Sequence, residues 1–401
     1  MGDTMQSIRS GASEPRSFSD GRPAGRARLV LAAGMAVLVS SLASAAQSGA
    51  QTTRMGEPVN AYAPGAKVYT PFEDGDIHPW PVQGRVWLMA GEPGEANVAV
   101  YVGDEGAIVI DTGVQAMAPK LLAQIQQLVQ QQGGAHKAIR FIVNTNGLVD
   151  HIGGNEVIRN AGARVVAGEE LALQSRLGEG GAAVWAHQKV LDRLVAETAN
   201  GGPTAPTESL WPSDVEEQAV YNMFFNGEAV QLHHAANANT DGQLMVLFRG
   251  SDVIAAGDVV NMTSYPTIDV ARGGTIDGEL VALNTLLDIA VPDDQVEGGT
   301  MIIPGHGRLI DLGDLARYTV IMTTIRNRVQ FYKNQGKTLD QVLALNPSSD
   351  YDDRWSAPSG PGSKREFITA VYSTLPKQGT VFFSMESSTR VPATSTRASR
   401  K

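Results

Sequence analysis

Five polar clusters in this chain follow apolar, β-prone runs. Asp111 closes GAIVIDTG, Asn146 to His151 follow IRFIVNT, Asn239 follows a third run, Asp258 follows IAAG, and His306 stands in PGHG. A sheet builds a site in this way, because loops project the polar groups while the strands hold them rigid. Asp150 and His151 are neighbours, and with the distant Asp258 and His306 they form an oxygen and nitrogen set suited to a divalent metal. A metal held by such a set polarises a carbonyl and lowers the pKa of its water to about 7. The sequence has no cysteine, which excludes disulfides, thiolate-ligated zinc, iron–sulfur clusters and a thiol nucleophile.

The elements that must carry these clusters alternate. Strands are predicted over Arg85–Gly91, Asn97–Gly103 and Gly106–Gly113, separated by Gly-rich turns. Leu121, Leu122, Ile125, Leu128 and Val129 fall at helical spacing after Pro119. A strand at Ile139–Thr145, a short helix from about Asn155, a strand at 163–168 and a helix over Ala182–Thr198 follow. A second strand set spans Ala219–Phe225, Glu228–His233, Gln243–Arg249, Asp252–Gly257 and Thr300–Pro304, with a helix at Gly278–Ile289. Two strand-rich halves, each with helices, predict an α+β fold, a four-layer αββα sandwich with a helical C-terminal extension. His233 and His234 precede the third cluster, and His78, His136 and His187 stand apart from the clusters; all five are read as packing or surface groups. Arg272, beside two glycines, is read as a turn residue.

The ends of the chain carry different signals. Arg22, Arg26 and Arg28 precede the apolar run Leu29–Val39, and Ala43–Ala45 follow it, a pattern that predicts a cleaved export signal over 1–46. We expect a linker over 47–79, the sandwich over 80–310, the helical extension over 311–380 and a disordered tail over 381–401. The mature protein is then expected to be periplasmic or secreted, without stable membrane insertion. Formal charge is −10 overall, yet residues 1–46 and 387–401 are net basic, so the stretch between them is strongly acidic. An acidic body is a poor partner for nucleic acid and leaves a small molecule as the expected substrate.

In order, DTG (Asp111–Gly113), TNGLVDHIGGN (Thr145–Asn155), HAANANTDGQ (His234–Gln243), AGD (Ala256–Asp258) and PGHG (Pro304–Gly307) resemble the metallo-β-lactamase superfamily. The resemblance covers roughly residues 80–310. RGGTIDG (Arg272–Gly278) and the helical C-terminal portion resemble a secreted bacterial branch of it. It implies metal ligands at Asp150, His151, Asp258 and His306, with Asp258 at the family's bridging position, and a structural or ligand-supporting role for Asp111. Three further ligand positions of the family pattern are replaced here by Asn146, Leu148 and Asn239. All three belong to the same metal, so the resemblance implies a two-metal site reduced to one.

The expected cofactor is therefore one divalent metal, with zinc first and iron or manganese as alternatives. The implied function is hydrolysis of a lactam, lactone, ester or thioester carbonyl through metal-activated water, with Asp150 orienting the nucleophile or moving a proton. The alternative is a catalytically inactive relative that binds a small ligand or partner in the former cleft, which Leu148 favours because an apolar side chain cannot ligate.

Overall fold

The computed structural model describes residues 75–91, 95–132, 137–164, 180–199, 206–292 and 299–377. The expected export signal, the tail expected to be disordered, His136 and residues 165–168 of an expected strand lie outside them.

Strands β1 (His78–Gln83), β2 (Val86–Ala90), β3 (Val98–Gly103), β4 (Gly106–Ile110), β5 (Ile139–Val143), β6 (Ala183–His187) and β7 (Asp214–Glu216) form one sheet in that spatial order. The first four pair antiparallel, and β4 to β7 pair parallel. The C-terminal ends of β4, β5 and β6 therefore share one edge. β1 begins at His78, inside the stretch expected as linker, and its two prolines are tolerated because the strand is at the sheet's edge.

The second sheet has the order β12 (Met301–His306), β11 (Val253–Asn261), β10 (Leu244–Phe248), β9 (Glu228–His234) and β8 (Val220–Phe225). Here β11 and β12 are parallel, so Asp258 and His306 also arrive at a common end.

Alternation of side chains packs the two sheets face to face. Leu88, Tyr101, Ile108, Val246 and Phe248 fill the layer between them. Val100, Val109 and Ile142 point the other way, onto the apolar stripe Leu121, Ile125, Leu128 of helix α1 (Ala118–Gln132). On the outer face of the second sheet, Met245, Leu247 and Ile254 meet α5 (Ile276–Ile289) and α6 (Leu312–Asn334). Helices α7 (Leu339–Leu345), α8 (Asp352–Trp355) and α9 (Lys364–Thr374) complete that layer. The result is the expected four-layer sandwich with C-terminal helices. Among the described residues no helix is long and apolar enough to cross a membrane.

One expected element changes type at its start. Ala183–His187, expected as the first turn of a helix, is strand β6, and the helix α4 runs over Gln188–Ala199. AVWAH is a short apolar run whose helix or strand character periodicity cannot settle. Pairing with β5 on one side and β7 on the other decides it.

Candidate metal centre

Short loops bring the ligand-type residues together. Helix α2 (Val149–Ile152) starts directly after Leu148, and α3 (Asn155–Ala161) follows it. This places the His151 ring in the core at 0% exposure while Asp150 stays half-buried. Asp258 comes from a bent part of β11, where Gly257 has φ = 52° and the register with β12 shifts. A side chain at 257 would run into Gln243 Nε2 at 2.2 Å and Thr145 Cβ at 2.8 Å, so only glycine lets this strand approach the β5 loop.

The His151 ring is held from behind. Its Nδ1 donates to Asp111 Oδ2 at 2.8 Å, and the same carboxylate accepts Thr145 Oγ1 at 2.6 Å and Thr145 N at 2.8 Å. In the neutral ring with Nδ1 donating, the tautomer that a bound cation would select, the Nε2 lone pair faces the centre. Nε2 lies 3.1 Å from Asp258 Oδ2, out of line for a hydrogen bond, and has no hydrogen-bond partner among the described residues. His306 Nε2 lies 3.4 Å from Asp150 Oδ2 and 3.3 Å from Asp258 Oδ1. The two imidazoles are edge to face, 81° apart with centroids at 5.7 Å.

These atoms fit a metal. One ligand atom each from Asp150, His151 and His306 falls within 4.8 Å of the others. Donors at the corners of a tetrahedron of radius about 2.1 Å stand about 3.4 Å apart, close to the 3.3 and 3.4 Å spacings of His306 Nε2 from Asp258 Oδ1 and Asp150 Oδ2. Two buried donor atoms without a hydrogen-bond partner, His151 Nε2 and Asp258 Oδ1, lie within this group. A carboxylate behind a ligating histidine, as Asp111 stands to His151, is the usual way a ring is oriented toward a cation.

Electrostatics agree with a cation site. Burial alone would depress His151, but the Asp258 and Asp111 carboxylates hold its pKa well above the ordinary imidazole value. Burial opposes ionisation of Asp258 and Asp150 as well, and the two histidines outweigh it, so both carboxyls titrate below their usual range. His306, against Asp150 and Asp258, is raised to about 9 despite its burial.

The substituted positions have other partners. Asn146 Nδ2 donates to Asp258 Oδ2 at 3.1 Å and Asn239 Nδ2 to the same atom at 3.3 Å. The Asn146 oxygen accepts Leu148 N at 2.9 Å and so is turned away from the ligand set. Leu148 is half-buried. Arg272 is not a free turn residue, since it is paired to Glu197 and Asp269. His187 stacks on His234 at 3.6 Å.

Glu279, which sequence reasoning passed over, is fully buried in the first turn of α5 with no hydrogen-bond partner for either oxygen among the described residues. Burial, and secondarily the Asp258 charge, push its carboxyl well above the usual range. Its signal was present: Glu279 occupies a position on the apolar stripe Ile276, Leu280, Leu283, Leu286.

Comparison with known proteins agrees with this architecture. The metallo-beta-lactamase superfamily model matches residues 91–306. The solved sec-alkylsulfatase Pisa1 from Pseudomonas sp. aligns over 74% of this chain and 50% of its own length, at 15% identity and a TM-score of 0.52. This chain thus spans half of that enzyme. A metallo-beta-lactamase from Pontibacter korlensis aligns over 62% of this chain and 99% of its own, at 14% identity and a TM-score of 0.42. No curated protein matches the chain in sequence. Since the family model covers more than half of the 401 residues and the sandwich is the expected one, the chain belongs to the metallo-beta-lactamase superfamily.

Proposed function

We propose that the protein is a hydrolase of a lactam, lactone, ester or thioester carbonyl that works with one divalent metal, zinc ahead of iron or manganese, in the periplasm or outside the cell. The observation that carries this reading is the convergence of Asp150, His151 and His306 ligand atoms, with Asp258 Oδ1 beside them. A cation bound there supplies Lewis acidity and lowers the pKa of a water to about 7. Asp111 fixes the His151 ring and its tautomer. Asp150 is the most open member of the set, and as a carboxylate beside the two histidines it can orient a nucleophile or later move a proton. Asn146 and Asn239 hydrogen-bond Asp258, and with Leu148 they contribute no ligand in this reading.

The test is metal content of protein purified without chelator, with the His151→Ala and His306→Ala variants beside it. About one equivalent of metal, lost in both variants together with at least ~100-fold of the activity on a panel of simple esters and lactones, supports the reading. A second reading, a non-catalytic ligand binder, is favoured by one residue, the half-buried Leu148. Failure to take up any metal from excess would leave that reading in place of the first.

A further inference from the structure

The two oxygens of Asp258 face different surroundings. Oδ2 accepts from Asn146 Nδ2 at 3.1 Å and Asn239 Nδ2 at 3.3 Å, and His151 Nε2 stands 3.1 Å from it without a hydrogen bond. Oδ1 lies 3.3 Å from His306 Nε2 and accepts no hydrogen bond among the described residues. The Asn146 amide cannot be turned round, because its oxygen takes Leu148 N and its nitrogen also reaches Gln243 Oε1 at 3.2 Å. Turning Asn239 would set an amide oxygen against a carboxylate oxygen. Both asparagines are almost wholly buried, so neither amide can trade its contact for water without moving.

A carboxylate oxygen has two lone-pair sites. Two amide donors occupy those of Oδ2, which leaves no acceptor site there for a cation. Asp258 can then reach a metal through Oδ1 alone and cannot bridge a pair.

We propose that Asn146 and Asn239 are positioning residues: their amide N–H groups hold Asp258 Oδ2, turn Oδ1 toward His306, and restrict the centre to a single divalent cation. The proposal rests on the metal-centre reading of those residues and adds the device that sets its stoichiometry. In physical terms, two neutral donors compensate the buried carboxylate on the side away from His306, without a second positive ion.

The test is equilibrium dialysis of the full chain against Zn²⁺, with elemental analysis, and against Co²⁺, whose visible absorption reports the coordination directly. Wild type should bind one equivalent and stay at one under tenfold excess. Asn146→Ala and Asn239→Ala should each weaken that equivalent about 10- to 100-fold and alter the Co²⁺ spectrum. The double variant Asn146→Asp/Asn239→Asp replaces donors by acceptors of the same size, frees Oδ2, and should take up a second equivalent. If the alanine variants fail to fold, this isosteric double variant decides. Wild type binding two equivalents, or variants that bind one with unchanged affinity and spectrum, would overturn the proposal while leaving the metal centre intact. Wild type binding none from excess would remove the metal-centre reading and the proposal with it.

Discussion

Asp111 acts on the centre through His151. It accepts three hydrogen bonds, two from Thr145 and one from His151 Nδ1, while itself standing at φ = 60°. Asparagine tolerates that backbone as well as aspartate does, so Asp111→Asn isolates the hydrogen bonds from strain. The amide must turn its NH₂ toward either Thr145 N or the Thr145 hydroxyl and His151 ring, and each choice opposes donor to donor. We expect metal affinity to fall about 10- to 100-fold with the fold retained. Titration of Asp111→Asn with zinc checks it, and wild-type affinity would show that His151 is oriented by packing alone. The ligand-type residues and Asp111 were legible in the sequence because they stand in motifs at loop starts. Glu279 and Gln243 were not, since their importance lies in which way a side chain faces, and that is fixed only when α5 docks and β11 bends at Gly257.

Among the elements, β6 and α4 show how tertiary pairing and a titratable side chain act together. His187 ends the strand, and its Nδ1 accepts Lys189 N at 3.2 Å in the first turn of the helix. Its ring stacks on His234, whose Nε2 donates to Asp241 O at 2.8 Å. The helix packs in turn on the two loops of the centre, Val190 Cγ1 coming within 3.1 Å of a side-chain position at Gly147 and Val190 Cγ2 within 2.9 Å of one at Gly242. Burial, with the neighbouring His234, lowers the His187 pKa to about 4. A base whose folded pKa is depressed contributes stability that is present above its unfolded value, near 6.5, and lost as pH falls toward 4. The full shift sets a ceiling of about 3 kcal/mol on that loss. His187→Asn keeps a short acceptor for Lys189 N but cannot titrate. Its denaturation free energy should fall less steeply than wild type between pH 6.5 and 4. Parallel slopes would mean that another group governs the acid limb. No periodicity in AVWAH indicates this strand, and its apolar residues suit either a buried strand or a helix turn, so only the neighbours β5 and β7 determine it.

At the scale of the whole molecule, residues beyond the last ligand share a core with the sheet that carries it. Leu315, Tyr318, Met322, Ile325, Trp355, Phe367 and Val371 belong to the same buried cluster as Met245, Ile254, Val260 and Leu283. Polar ties run to the segment just after Asp258: Tyr265 N donates to Trp355 O at 2.7 Å, and Arg354 Nη2 to Met262 O at 2.9 Å. The Tyr265 ring stacks on Phe367 at 4.8 Å. Exposing one such side chain costs about 1.5 to 3 kcal/mol. The seven named above already approach or exceed the 5 to 15 kcal/mol that holds a typical domain folded. The helical composition after His306 made an appended extension the natural reading of the sequence, because sequence does not reveal which apolar face covers which sheet. We therefore expect a chain truncated after Ile310 to be insoluble or to lack a cooperative thermal transition, although every ligand residue is retained. A truncated protein that melts cooperatively and still binds one metal would show instead that the sandwich stands alone and that the helices serve some purpose other than its stability.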